Sequence, residues 1–263
     1  MKLGVIGAGN MGSAIIRGYI GNGAEPQSVI VCGHHPERLE PMAAELGVTL
    51  MSSAVELTGA SDVVLLAVKP KDAGKVLEEI NPAFTTGKIL VSIVAGKTME
   101  DLAAVCPAAE KIIRVMPNTP ALVQSGMTAL CRNDSVGEEE FEAVKEIFEG
   151  IGRVQEVPEN QMDAVTGLSG SGPAFVYLFI DALSDAGVLC GLTRAQALEL
   201  AAQTVYGSAR MVLETGTHPA ALRDAVCSPG GTTIEGVREL EAGAFRSTVM
   251  EAVIAACEKS KKL

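Results

Sequence analysis

The chain has no tryptophan, only three tyrosines and six phenylalanines, and just 3% aromatic residues in all. Few flat faces are therefore available for stacking bases. Positive charge is short as well. Lys and Arg number 21 against 32 Asp and Glu, a net charge of −11, and the acidic excess is spread along the chain. A protein that grips a phosphate backbone presents a basic surface, so nucleic acid is not the expected partner. The six cysteines, Cys32, Cys106, Cys131, Cys190, Cys227 and Cys257, never fall within four residues of one another. No C-x-x-C knuckle exists, and the usage suits a reducing cytosol with thiols as small apolar groups, although spacing leaves disulfides open. His34, His35 and His218 form no H-x-x-x-H pair, so no metal is expected and the expected location is the cytoplasm. The longest uncharged runs, 115–131 and 164–180, hold Pro, Gly, Ser or Asn, and neither reads as a membrane span.

Apolar residues make up 48% and charged residues 20% of 263 residues, enough for a sizeable core and for more than one minimal domain. Met1-Lys2 and the apolar run after it could pass for a signal peptide. Gly4, Gly7, Gly9 and Gly12 interrupt that run and Arg17 closes it, so a strand–turn–helix explains it better. Buried-strand runs recur at 2–6, 29–32, 63–68, 89–94 and 111–115, with helical stretches at 36–46, 73–80 and 99–105 between them. This alternation predicts an α/β, doubly wound parallel sheet of Rossmann type. Segments 127–131 and 152–157 add edge strands around a helix at 138–148. Beyond Pro158 the spacing becomes helical, at 173–190, 194–213 and 243–258. The expected division is a dinucleotide-binding domain, 1–158, and an all-helical substrate-binding and dimerisation domain, 159–263. About 105 residues of helix rich in Ala, Val and Leu make a thin core, which a second subunit can complete.

Gly7-Ala8-Gly9-Asn10-Met11-Gly12 follows the first strand and opens a helix, the context in which G-x-G-x-x-G cradles a pyrophosphate. An NAD-preferring fold usually places Asp or Glu near the end of the second strand. Here Cys32-Gly33-His34-His35-Pro36 stands there with Arg38 nearby, which favours NADPH and leaves NADH possible. Loops after the later strands, Val68-Lys69-Pro70, Ser92–Gly96 and Met116–Pro120 with Asn118, fall where an open α/β sheet binds its ligand. In the helical half, Ser228-Pro229-Gly230-Gly231-Thr232-Thr233 precedes a helical run, 234–240. Free backbone N–H groups, a helix dipole and three hydroxyls suit a small carboxylate. Standing alone, the stretch reads better as an ordinary glycine turn and N-cap. The small-residue cluster Gly167–Pro173 reads as close helix packing or as space for a cofactor, with packing ahead.

These motifs together resemble the Δ1-pyrroline-5-carboxylate reductase family, along essentially the whole chain. The anchors are Gly7–Gly12, Ala67–Pro70, Met116–Pro120, Ala164–Pro173 and, most specific, Asp224–Glu235. The resemblance implies reduction of the cyclic imine 1-pyrroline-5-carboxylate to L-proline with NAD(P)H. It implies that Gly7, Ala8, Gly9, Asn10, Met11 and Gly12 meet the pyrophosphate, His34 the 2′-phosphate and Ser53 the adenosine. Ala67, Val68, Lys69, Pro70, Val94 and Ala95 then run beside the cofactor. Ser228, Thr232 and Thr233 hold the substrate, Thr233 nearest the ring nitrogen, and Glu159 matches a ligand-side position. The family's helical domains interlock into homodimers, often assembling into decamers. Two positions depart from the pattern: Ala225 replaces an amide, and His34-His35 replaces a Ser/Thr-rich loop. Competing readings are another NADP-linked imine or hydroxyacid oxidoreductase, a deazaflavin-dependent reductase, and a non-catalytic NADPH sensor. Residues 159–193 hold no Lys or Arg, which counts against the lysine proton donor of a hydroxyacid dehydrogenase.

Overall fold

A computed structural model describes residues 1–262. The strands are β1 (Leu3–Ile6), β2 (Val29–Cys32), β3 (Thr49–Leu50), β4 (Val63–Leu66), β5 (Ile89–Ser92), β6 (Lys111–Met116), β7 (Gly126–Arg132) and β8 (Gly152–Glu156). They form one sheet in the order β3-β2-β1-β4-β5-β6-β7-β8. Every neighbouring pair from β3 to β6 is parallel, β7 runs antiparallel to β6, and β8 is parallel to β7. The helices of this half are α1 (Asn10–Gly21), α2 (Pro36–Leu46), α3 (Ala54–Ala60), α4 (Pro70–Ile80), α5 (Met99–Val105) and α6 (Glu138–Glu149). The expected α/β architecture is therefore present. The two-residue β3 and the helix α3 are additions that the hydrophobic spacing does not reveal: β3 is too short to show a period, and the buried face of α3 includes the polar Thr58.

β1, β2, β4 and β5 are buried along their whole length. Both faces of a parallel sheet are covered, so its strands are continuously apolar. Successive side chains still go to opposite faces. Leu3, Val5 and Val31 join Ile15, Ile16, Phe141 and Phe148 on one face. Ile6, Ile30 and Cys32 join Leu57, Leu77, Ile80 and Leu102 on the other. The chain progresses outward in one direction from β1 to β3 and in the other from β4 to β6. The reversal lies between β1 and β4, and the loops at their carboxyl ends flank the crevice where such sheets bind ligands.

After β8 come a single turn α7 (Met162–Val165) and a π-helical turn at Thr166–Gly170. The helices α8 (Gly172–Leu189), α9 (Arg194–Thr215), α10 (Pro219–Ala225), α11 (Thr232–Ala242) and α12 (Phe245–Ser260) follow, with no strand among the described residues beyond β8. The chain divides into two compact units at Gly170/Ser171, and the second unit ends at Ala255. In that unit α8 and α9 form a hairpin. Thr193 and Gln196 cap α9 reciprocally, and Arg194 donates to the buried Ser184 hydroxyl at 3.0 Å. Only Ser184, Ala197 and Ala201 are buried among its described residues. Leu178, Leu189 and Met250 are 72%, 89% and 62% exposed. The helical half thus has almost no core of its own, and its apolar faces stand open. The stretch Glu159–Leu189 is also long and apolar enough, by length and composition, to cross a membrane. It contains 164–180, whose Pro, Gly and Ser do not break the helical run: the π turn and Pro173 lie within it.

One buried polar atom lacks a partner. The Thr128 hydroxyl lies in the middle of β7 with no hydrogen bond and no exposure. An unpaired buried hydroxyl costs about 1–3 kcal/mol. Thr128→Val keeps the shape and removes that cost, so the variant is expected to match or exceed the parent in chemical denaturation; a loss of more than about 1 kcal/mol would show that the hydroxyl has a partner.

Candidate active site

The β1–α1 turn is built by three glycines with three different reasons. Gly7 has φ +90°, and its N–H donates to the Cys32 carbonyl at 2.8 Å. A Cβ there would meet the Ala67 carbonyl oxygen at 2.8 Å, so the turn is pressed against the β4 end. A Cβ on Gly12 would meet the Gly7 carbonyl oxygen at 2.5 Å, so α1 starts hard against the turn. Gly9 is different. Its φ of −69° suits any residue, and a Cβ would meet nothing within 4 Å. No protein atom requires a glycine here; open space remains in front of the first turn of α1. Gly9 caps that helix without a side-chain bond, so the leading N–H groups are left for a ligand.

That space is a cavity of about 420 Å³ lined by Gly7, Ala8, Gly9, His34, His35, Arg38, Ala67, Val68, Lys69 and Lys71, with Asp72 as its one acid. An adjoining cavity of about 310 Å³ shares Gly7, His34 and Val68 and adds Cys32, Ser52 and Glu79. The structure therefore brings Gly7, Ala8, Gly9, His34, Ala67, Val68 and Lys69 together. Asn10, Met11 and Gly12 lie in the first turn of α1, where Met11 packs partly on the core. Pro70 opens α4, with Lys69 as its cap. His35 and Arg38, singled out beside His34 at the end of the second strand, line the larger cavity as well. Lys71 and Ser52 are wall residues that no motif singles out; their signal was position alone, at the carboxyl ends of β4 and β3. Burial pushes the Cys32 thiol up, with Glu79 adding to the effect, so it is a neutral wall group.

Other expected residues are engaged by the protein. Ser53 caps α3, its oxygen accepting from the Glu56 N–H at 3.2 Å, and the neighbouring Ser52 lines the cavity instead. Val94 is buried in the core with its N–H on Ser92, whereas Ala95 beside it is exposed. The Asn118 side chain clamps two segments. Its Oδ1 accepts from the Met127 N–H at 2.8 Å, and its Nδ2 donates to the Ser169 carbonyl at 3.1 Å. It thereby ties the π turn to β7, and π turns frequently mark functional sites.

Glu159, expected at a ligand-side position, is engaged by the protein through one oxygen: its Oε1 accepts from the Met99 N–H at 2.7 Å and from Arg114 at 3.3 Å. The Met99 N–H belongs to the first turn of α5 and has no intrahelical partner. Arg114 is a cation within a largely apolar strand, with its side chain 11% exposed, and it needs a counter-charge there. Glu159 meets both demands and is a positioning residue that holds the start of the helical region against β6 and α5. The Thr98–Asp101 capping box starts the same helix. Its backbone hydrogen bond, helped by Lys97 and Arg114, holds the Asp101 carboxyl below the usual range.

Ser228–Thr233 forms a hydrogen-bonded turn, the Gly231 N–H donating to the Ser228 carbonyl at 3.0 Å. Gly230 at φ +67° supplies the left-handed corner after Pro229. A Cβ on Gly231 would fall 2.3 Å from the Ser228 hydroxyl, so that hydroxyl lies directly over the helix start. No side chain caps α11, and Thr232 and Thr233 stand exposed in its first turn. Unpaired N–H groups, the helix dipole and three hydroxyls make this a cradle for a small anion.

Compared with known proteins, the chain is 47% identical to the pyrroline-5-carboxylate reductase of Escherichia coli, over 100% of its own length and 98% of the relative's. The chain belongs to the pyrroline-5-carboxylate reductase family. The enzyme of that name from Glycine max is 45% identical over 99% of the chain and 95% of the relative. The solved pyrroline carboxylate reductase of Plasmodium falciparum, with NADP bound, is 40% identical with a TM-score of 0.88, covering 100% of this chain and 97% of that one. The Coxiella burnetii pyrroline-5-carboxylate reductase superposes with a TM-score of 0.95 at 35% identity, over 99% and 97% of the two chains. Residues 159–263 match the family model for pyrroline-5-carboxylate reductase dimerisation, and residues 2–96 match that for NADP oxidoreductase, coenzyme F420-dependent. In this reductase the dimerisation region is the half with the thin core and the exposed apolar faces, and the protein is an oligomer.

Behind the site a buried thiol lies near this ion pair. Burial pushes Cys131, on β7, up to about 12, and Glu159 adds to the rise. The native state thus favours the neutral thiol. That preference is complete below about pH 8.5, the unfolded value, and is lost as pH rises toward 12. At pH 8.5 a thiol-alkylating reagent is expected to label the exposed Cys190 in the native protein and to reach Cys131 only after denaturation; native labelling of Cys131 at a comparable rate would contradict its burial.

Proposed function

We propose that this chain reduces 1-pyrroline-5-carboxylate to L-proline, with NADPH as the preferred donor and NADH as a poorer one. The observation that carries the reading is the pairing, in one chain of this family, of an open turn at Gly9 with the anion cradle at Ser228–Thr233. When bound, the nicotinamide supplies the hydride for the carbon of the C=N bond. The protein's own residues bind and orient. The α1 N-terminus and the Gly7–Gly12 turn receive the pyrophosphate, His34 the 2′-phosphate, and Ala67–Pro70 and Ala95 flank the dinucleotide. Ser52 and Ser53 lie toward its adenosine end. Asn118 and Glu159 act from behind, one holding the π turn and the other the start of α5.

In the helical half, Ser228, Thr232 and the first N–H groups of α11 hold the substrate carboxylate. Thr233 is the catalytic residue nearest the imine nitrogen. An imine accepts hydride most readily when its nitrogen carries a proton, so the chain must hold the nitrogen and manage one proton. A threonine hydroxyl has far too high a pKa to ionise, and Thr233 positions the ring or relays that proton. No nucleophile or metal is required. The absence of Lys and Arg from 159–193 favours this chemistry over that of a hydroxyacid dehydrogenase.

The working division is 1–158 for the dinucleotide and 159–263 for substrate and dimerisation. The oligomer is proposed to be a homodimer that can build to a decamer, located in the cytoplasm, where its thiols stay reduced. Neither nucleic acid nor a membrane is proposed as a partner. The net charge of −11 opposes the first, and subunit contact is the proposed use of the apolar 159–189 face.

The deciding assay mixes the purified protein with pyrroline-5-carboxylate and NADPH or NADH, follows loss of the reduced nicotinamide band and identifies proline. Absence of turnover in a protein that binds NADPH would leave the sensor reading. Thr233→Ala is expected to lower kcat/KM roughly 10–150-fold, the value of one hydrogen bond to a charged group, with NADPH affinity retained. Gly9→Val is expected to weaken NADPH binding at least about 10-fold. Because a Cβ there touches nothing, its Tm should stay within about 2 °C of the parent; a large fall in Tm would return Gly9 to a structural role.

A further inference from the structure

Three successive carbonyls of the β1–α1 turn face α1, and each is held there in a different way. The Gly7 oxygen lies against Gly12, where a Cβ would stand 2.5 Å from it. The Gly9 oxygen accepts from the Ser13 N–H at 2.9 Å, the first rung of the helix ladder. The Ala8 oxygen has no rung. In a regular ladder the Gly12 N–H would reach it, but that bond is not made and the ladder starts one residue later. Its one partner among the described residues is the Ser13 hydroxyl, which donates to it at 3.0 Å.

Every peptide bond of the turn is trans, so each N–H points away from the carbonyl to which it is joined. Carbonyls that face α1 therefore turn the N–H groups of Ala8, Gly9 and Asn10 toward the cavity. None of the three donates to a protein acceptor among the described residues. The Ala8–Gly9 peptide is the weak point. Gly9 has no side chain and open space beside it, so neither steric contact nor the ladder stops this peptide from turning over. Turned over, it would present the Ala8 oxygen to the cavity and withdraw the Gly9 N–H.

We infer that Ser13 is a positioning residue for the dinucleotide: its hydroxyl locks the Ala8–Gly9 peptide so that an N–H, and not a carbonyl oxygen, meets the pyrophosphate. The inference rests on the dinucleotide reading of this cavity. Ser13 is half-buried behind the turn and acts through the Ala8 carbonyl. The glycine pattern does not mark it, because it follows the last glycine.

The test titrates NADPH into the full-length protein with no imine present, following nicotinamide fluorescence, for the parent, Ser13→Ala and Ser13→Thr. Ser13→Ala is expected to raise the Kd for NADPH roughly 3–10-fold, the scale of one neutral hydrogen bond. Ser13→Thr keeps the hydroxyl and is expected to stay within about twofold of the parent. Thermal midpoints measured without ligand separate positioning from a structural role. Alanine is the better helix former and threonine the poorer, so an effect on the helix alone would favour Ser13→Ala over Ser13→Thr in both affinity and Tm. The inference expects the reverse order in affinity, with the Tm of Ser13→Ala within about 2 °C of the parent. A Kd for Ser13→Ala within about twofold of the parent, a loss in Ser13→Thr as large as in Ser13→Ala, or a larger fall in Tm would overturn it. Failure of the parent to bind NADPH overturns it together with the dinucleotide reading. NADPH binding without imine turnover removes only the reductase reading and leaves this result standing.

Discussion

The close approach of the β1–α1 turn to the end of β4 is the contact on which the rest of the site depends. Gly7 adopts φ +90° and leaves no room for a side chain against the Ala67 carbonyl. Its N–H is held by the β2 end at Cys32. Three strand ends, β1, β2 and β4, are thereby drawn to one point of the sheet, and it is the point where the winding reverses. Gly12 then sets α1 directly behind the turn. What remains in front is the space at Gly9. The site is therefore a consequence of parallel-sheet topology and two steric demands, with open space at Gly9, the glycine of this turn that no protein atom requires.

The two halves solve the packing problem in different ways. The α/β half covers both faces of its sheet and buries Phe141, Phe148 and a full set of aliphatic side chains. The helical half buries almost nothing, because helices of Ala, Val and Leu in a single hairpin and its neighbours cannot enclose a core. Its exposed Leu, Val and Met faces and its match to a dimerisation model are two views of the same shortage. The same apolarity lets Glu159–Leu189 satisfy the length and composition of a membrane span. Membership of the family assigns that surface to subunit contact.

Charge follows a similar division of labour. The chain is acidic overall, yet the cavity walls carry His34, His35, Arg38, Lys69 and Lys71 against Asp72. A local cationic wall in an acidic protein selects an anion at one place and repels it elsewhere. Behind that wall, charge is structural. Arg114 and Glu159 pair with one another, Glu159 accepts from the first turn of α5, and burial, with Glu159 adding to it, keeps the Cys131 thiol neutral. Both uses obey the same rule, that a charge taken out of water needs a partner.

The sequence by itself determined the α/β-then-helical order, the strands β1, β2, β4, β5 and β6, the glycine turn and the Ser228–Thr233 loop. Each of these is written in local spacing: runs of apolar residues, a glycine pattern, a helix start. It could not show the two-residue β3, nor α3, whose buried face includes the polar Thr58, nor the buried Thr128 hydroxyl, whose lack of a partner depends on distant neighbours. The roles of Glu159 and Asn118 were decided only by the tertiary structure. Their polar groups are satisfied by Met99, Arg114, Met127 and Ser169, residues between 9 and 60 positions away that the chain brings together only on folding. The same holds for His34 and His35. They are adjacent and alike in the sequence; both line one cavity, and only the fold shows that His34 alone also lines the adjoining one.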